Sequence, residues 1–147
     1  MIYRYALSYL ETWKKNPMRK PLILRGARQV GKTTLVENFA TEFDCFLKLN
    51  LDEEEDRLLF TRYKEIHRLI EAIFFHLQKN PTEGSTLLFI DEIQNSPEAV
   101  AILRYFHEKR PDIYVIAAGS LLENVIDRKI SFPVGRVEYM ALHPCSF

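Results

Sequence analysis

Cysteine is scarce in this 147-residue chain, which has only Cys45 and Cys145. They show no CxxC spacing and have no companion cysteines. That excludes a disulfide framework and a cysteine zinc site, and it suits a reducing cytoplasm. An excess of charge of one sign is also missing, because Lys plus Arg and Asp plus Glu balance at 20 each. The whole molecule therefore has no field to steer it toward nucleic acid or anionic lipid, and any basic surface must be local. No apolar run reaches transmembrane length, and the first ten residues carry Arg4 and polar interruptions instead of a signal-peptide core, so the chain reads as soluble and untargeted. Repeats and low-complexity segments are absent, and the 5 glycines and 7 prolines fall as punctuation and not as a linker. His67, His76, His107 and His143 have neither i, i+4 pairing nor nearby cysteine, which argues against a transition-metal site.

What is present is enough apolar sequence, 47%, for one buried core. Tyr5, Tyr9, Leu10 and Trp13 predict an amphipathic helix packed from outside and ended by Asn16-Pro17, within a lead-in spanning residues 1–20. The main domain is expected over 21–147. Pro21–Arg25 reads as a short strand stopping at Gly26, and Leu35, Val36, Phe39 and Phe43 recur at helical spacing after Lys32. Cys45–Leu51 predicts a second strand. The acidic run Asp52–Asp56 is best explained by solvation and a helix dipole, not by a metal, and Tyr63, Ile66, Ile70, Ile73, Phe74 and Leu77 form a helical stripe closed by Asn80-Pro81. Thr86–Ile90 is a buried strand ending in Asp91-Glu92, and Ser96-Pro97-Glu98 supplies a cap, an N1 proline and an early acid for another helix. Ile113–Ala118 predicts a fourth strand, followed by a short helix through Leu122 and Ile126 and a fifth strand over Val134–Leu142. Strands alternating with helices imply an α/β fold with a parallel sheet.

Gly26-Ala27-Arg28-Gln29-Val30-Gly31-Lys32-Thr33 fits G-x-x-x-x-G-K-[ST] between a strand and a helix, the context that gives the pattern its meaning. A triphosphate is wrapped by backbone N–H groups, so the chain must turn tightly and approach closely, which Gly26 and Gly31 allow. The next helix points its free N–H groups at the phosphates, together with the first-turn residue Thr34. Lys32 reaches the β and γ oxygens, and Thr33 offers a hydroxyl to Mg²⁺. Asp91, at the C-terminal end of a buried strand, is expected to hold the Mg²⁺ shell. Glu92, one residue later, leaves on a different heading and can orient or deprotonate the attacking water. That acidic doublet separates ATP hydrolases from P-loop kinases and GTPases, and no Asn-Lys-x-Asp stretch is present to read guanine.

Three further positions admit two readings each. Gln94 senses the γ-phosphate or begins a polar loop. Ser120, at the tip of the fourth strand, lies between water and γ-phosphate or caps a turn. Arg136 donates charge to the γ-phosphate in its own or a neighbouring subunit, or is an exposed strand arginine.

With Leu24–Thr33, Phe89–Gln94, Ala118-Gly119-Ser120-Leu121-Leu122 and Gly135-Arg136-Val137 in place, the chain resembles prokaryotic AAA-type ATPases of the additional-strand P-loop class that carry a C-terminal domain of unknown function. The resemblance implies a three-layer P-loop NTPase fold with five parallel strands in the order 5-1-4-3-2, so that the strand ending at Ser120 lies between the two motif strands. It also implies a preference for adenine. The stretch His143–Phe147 resembles a motif after which such proteins continue into a helical lid and a further domain, so the resemblance implies truncation after the ATPase core.

The function expected is Mg·ATP binding and hydrolysis, with Lys32, Glu92, Ser120 and Arg136 as catalytic candidates and cytoplasmic localisation. Rival readings are a nucleotide-gated interaction module without meaningful turnover, a P-loop kinase, for which no basic lid is evident, and a DNA-associated motor fragment. Nucleic acid is expected only through regions beyond this sequence. A protein partner or homo-oligomer is compatible with it, and a membrane is not.

Overall fold

The computed structural model describes residues 2–26, 31–81, 83–119, 135 and 137–141. Helix α1 (Ile2–Lys15) is followed by strand β1 (Leu22–Arg25), helix α2 (Lys32–Phe39) and strand β2 (Cys45–Asn50). Helices α3 (Glu54–Arg62) and α4 (Ile66–His76) lead to β3 (Thr86–Asp91), then α5 (Pro97–Lys109), β4 (Ile113–Gly119) and β5 (Glu138–Ala141). All four pairings are parallel, and the sheet runs β2-β3-β4-β1-β5. Counted from the opposite edge the same sheet runs 5-1-4-3-2, the arrangement implied by the resemblance.

Alternation along each strand divides the core into two layers, as the period of two requires. Ile23, Leu47, Leu88, Ile90, Val115 and Ala117 face α3, α4 and α5. Leu22, Leu24, Leu87, Phe89, Ile116 and Ala118 face α1 and α2. Side chains such as Phe89 and Leu24 are fully buried, each worth roughly 1.5–3 kcal/mol relative to exposure. An aromatic group joins α1, α2 and β4: Trp13 lies edge-on to Tyr114 at 6.0 Å, and Phe43 meets Phe39 at 5.2 Å.

Two sequence expectations need correction. Helix α1 buries Ala6, Leu10 and Trp13, spaced i, i+4, i+7, whereas Tyr5 is 79% and Tyr9 40% exposed. Tyrosine carries a hydroxyl that prefers water, so the smaller Ala6 takes the seam and the tyrosines flank it. The helical stripe expected from Tyr63 to Leu77 holds over Ile66, Ile70, Ile73 and Phe74, which are buried in α4, but its first residue, Tyr63, lies outside that helix. Helix α3 ends at Arg62, and α4 starts anew after Glu65, whose carboxylate accepts from the His67 N–H at 2.7 Å. Helix α4 then ends at His76, before Asn80-Pro81.

The acidic run opens α3 as expected, with Glu54, Glu55 and Asp56 in its first turn. Asp56 does more than meet solvent: it accepts from the Asn50 N–H at 2.9 Å and pairs with His76 Nε2 at 2.7 Å. Of the fifth expected strand, Glu138–Ala141 is strand, while Val134, Arg136 and Leu142 lie outside the described residues, as do Leu122 and Ile126. Among the described residues no helix is long and apolar enough to cross a membrane.

Candidate functional site

Parallel pairing places the ends of β1, β3 and β4 at one edge of the sheet. Arg25, the last residue of β1, is level with Gly119 of β4, and Asp91 of β3 is level with Asn50 of β2. Ser120 follows Gly119 and, with Ala27, Arg28, Gln29, Val30 and Arg136, lies outside the described residues.

Gly31 enters α2 at φ 81°, ψ 28°, a left-handed conformation that other L residues adopt only at a cost. Gly31 has no side chain with which to cap α2, and no acid lies in its first turn of Lys32, Thr33 and Thr34. The first N–H groups of a helix lack intrahelical partners, so this end presents uncompensated donors and the positive end of the helix dipole. Thr34 is exposed there.

Lys32 is only 6% exposed, and its ammonium donates to the Gly26 carbonyl at 2.8 Å. A buried cation must be hydrogen-bonded, and this contact draws the side chain toward Gly26, the residue that follows β1. One residue later, the Thr33 hydroxyl donates to Asp91 Oδ2 at 3.2 Å. The other Asp91 oxygen accepts from the Glu92 N–H at 2.9 Å. Burial, the largest effect, pushes the Asp91 carboxyl above its ordinary value. The Glu92 N–H opposes this, the Glu92 charge reinforces it, and the Thr33 hydroxyl and Lys32 ammonium oppose it. The structure thus brings Lys32 to Gly26 and Thr33 to Asp91.

Glu92 turns out of β3 at φ 53°, ψ 47°, and its carboxylate accepts from Gln94 Nε2 at 3.1 Å. Left-handed backbone in a non-glycine residue is uncommon, and it gives Glu92 a heading distinct from that of Asp91. Beyond it, Asn95 Nδ2 donates to Leu51 O at 3.3 Å and Asp52 Oδ1 at 2.8 Å, pinning the turn to the end of β2. Neither tether was legible in the sequence. An Asn or Gln before a Ser-Pro cap reads as polar loop, and only the parallel register brings Leu51 beside it.

Oxygen donors from a hydroxyl and a carboxylate suit a hard cation such as Mg²⁺, which takes one or two protein ligands and completes its shell with phosphate and water. Among the described residues no group of three or more His, Cys, Asp or Glu could hold a metal on its own.

The sequence model of the AAA domain family matches residues 18–147. No curated protein matches the sequence. Among solved structures the chain is similar to the Walker-type ATPase PABY2304 of Pyrococcus abyssi, with TM-score 0.60 and 17% identity over 95% of this chain and 53% of that one. It is also similar to a chain of Drosophila ORC bound to DNA, with TM-score 0.60 and 16% identity over 97% of this chain and 91% of that one. A chain of Drosophila ORC bound to AT-rich DNA and Cdc6 gives TM-score 0.59 and 16% identity over 99% and 57%. The chain therefore spans about half the length of the Pyrococcus ATPase. At such identities these likenesses establish a shared P-loop ATPase fold.

Proposed function

Because the chain belongs to the AAA domain family, we propose that it binds ATP with Mg²⁺ at the corner formed by Gly26, Lys32, Thr33 and Asp91 and hydrolyses it to ADP and phosphate. The observation that carries this reading is the Thr33–Asp91 contact of 3.2 Å at the foot of a helix that begins on glycine. Two oxygen donors separated by 58 residues in sequence converge where the free N–H groups of α2 emerge.

In this reading the loop Gly26–Gly31 and the N–H groups of Lys32, Thr33 and Thr34 wrap the phosphates. Lys32 exchanges the Gly26 carbonyl for the β and γ oxygens, so a buried cation keeps a partner in both states. Mg²⁺, held by Thr33 and Asp91, would neutralise charge on the phosphate oxygens. Glu92 accepts a proton from the water whose oxygen attacks the γ-phosphorus, while the bond to the β–γ bridging oxygen breaks and ADP leaves. Ser120 is assigned to the water side of the γ-phosphate, and Arg136 to the charge that develops on it. A chain-wide balance of 20 cationic and 20 acidic residues gives no general attraction to a phosphate backbone, so a free nucleotide is the substrate proposed.

Calorimetry with ATP, ADP and GTP in the presence of Mg²⁺, followed by phosphate release on the same samples, tests the proposal. Lys32→Ala is expected to weaken ATP binding at least ~100-fold, about 2.7 kcal/mol. Glu92→Gln is expected to keep affinity while losing turnover. Wild-type protein that ignores ATP at millimolar concentration would overturn the proposal. Binding without phosphate release would instead assign the chain to the nucleotide-gated modules.

A further inference from the structure

Gln94 reaches the candidate site through the Glu92 carboxylate. Its Nε2 donates to Glu92 Oε1 at 3.1 Å, while its Oε1 is buried with no hydrogen-bond partner among the described residues. An ionised carboxylate only accepts, so the amide must present its NH₂ edge to Glu92, and its carbonyl oxygen must face away. A buried acceptor without a partner is unfavourable, and a side chain whose role was only to fill the loop would gain by being apolar. What holds the amide in this orientation is donation to a charged acceptor, which is stronger than a neutral hydrogen bond.

The surrounding backbone leaves little freedom for an alternative. Gln94 is the middle residue of a single 3-10 turn, Ile93–Asn95. Ile93 is fully buried, and Asn95 is tied to Leu51 and Asp52. Glu92, by contrast, stands at a strand end in the left-handed region, with a long side chain whose direction the backbone alone does not set. We infer that Gln94 is a positioning residue that fixes the direction of the Glu92 carboxylate, an inference that rests on reading Glu92 as the group that takes the proton from water. Gln94 acts through Glu92 and need not touch nucleotide.

Gln94→Met tests this because it keeps length and shape while removing both the donor and the unpartnered acceptor. A positioning role predicts a kcat reduced about tenfold, short of the ~10²–10⁴-fold that loss of a general acid or base costs, with ATP affinity and KM unchanged and Tm unchanged or raised. A role confined to holding the loop predicts the opposite pattern, a lower Tm with kcat retained. On a Glu92→Gln background the same substitution should cost nothing further, because the carboxylate it steers is gone. Full kcat in Gln94→Met, alongside an inactive Glu92→Gln, would overturn the inference and leave the role of Glu92 intact. An active Glu92→Gln would remove the role of Glu92 itself. A readout independent of turnover is the side-chain amide resonance of Gln94 by ¹⁵N NMR. It is expected to move in Glu92→Ala, and an unmoved resonance would overturn the inference even in a chain that does not turn over.

Discussion

Helices α2 and α5 both start near the strand ends that carry the candidate site, and their first turns are built on opposite plans. Helix α5 satisfies itself: Ser96 is buried and accepts from the Ala99 N–H at 3.0 Å, Pro97 removes a donor, and Glu98 supplies negative charge. Helix α2 begins on a left-handed glycine that has no side chain to cap it and has no acid in its first turn, and its buried lysine donates to a backbone carbonyl. A helix start that lacks its own anion is a poor structural element and a good phosphate site. The stability given up at α2 is supplied by elements such as α5 and by the two apolar layers of the sheet.

The largest break of this contrast is Asp91→Asn. It should weaken Mg²⁺-dependent ATP binding by about 100-fold or more, as judged by calorimetry, while stabilising the nucleotide-free chain. The sign follows from burial. The folded carboxyl titrates above its ordinary value, so its ionisation is disfavoured by folding, and the wild type loses stability as pH rises through that raised value. In thermal melts the variant should therefore gain most over the wild type above that range and least in acid.

Ser96→Ala acts on the self-sufficient helix. Loss of its cap should cost about 1 kcal/mol in denaturant unfolding and leave ATP affinity unchanged. Thr34→Glu makes α2 resemble α5 by giving it an acid of its own. The expected result is a gain of about 0.5 kcal/mol without nucleotide, together with weaker ATP binding, and a gain in affinity would contradict the anion-site reading.

The smallest effect belongs to the far end of α5, where Arg110 grips Asp112 through two hydrogen bonds of 3.0 and 2.9 Å. Hydrogen bonding to Arg110 is the main reason that Asp112 titrates below its ordinary value. Its contribution is therefore complete above the ordinary Asp range and is lost as pH falls through the lowered value. Asp112→Asn should cost only a few tenths of a kcal/mol at neutral pH, because the pair is largely solvated.

Much of this was legible because the relevant physics is local. The glycine loop and the helix after it are contiguous, so Gly26, Gly31, Lys32 and Thr33 declare themselves by spacing alone. The cap of α5 lies within Ser96-Pro97-Glu98 for the same reason. The burial of α1 was misread because Tyr5 and Tyr9 count as apolar in a periodicity, while in the fold their hydroxyls keep them at the rim and Ala6 takes the seam. The break between α3 and α4 was hidden because Glu65 caps a helix through a hydrogen bond that hydrophobic spacing does not register. Asp56 was read with its neighbours as a solvated acid, and its bonds to Asn50 and His76 required the helices to be folded together.

The sequence by itself placed the strands and the helices that begin at Lys32 and Pro97, since each follows from residues a few positions apart. The strand order followed from a family resemblance and not from spacing. Only the tertiary structure decided which groups meet. Thr33 and Asp91 are 58 residues apart in the chain and 3.2 Å apart in space. Parallel strands force that meeting: every strand in such a sheet ends at the same edge, so residues at distant strand ends converge, and no periodicity along the chain encodes their separation.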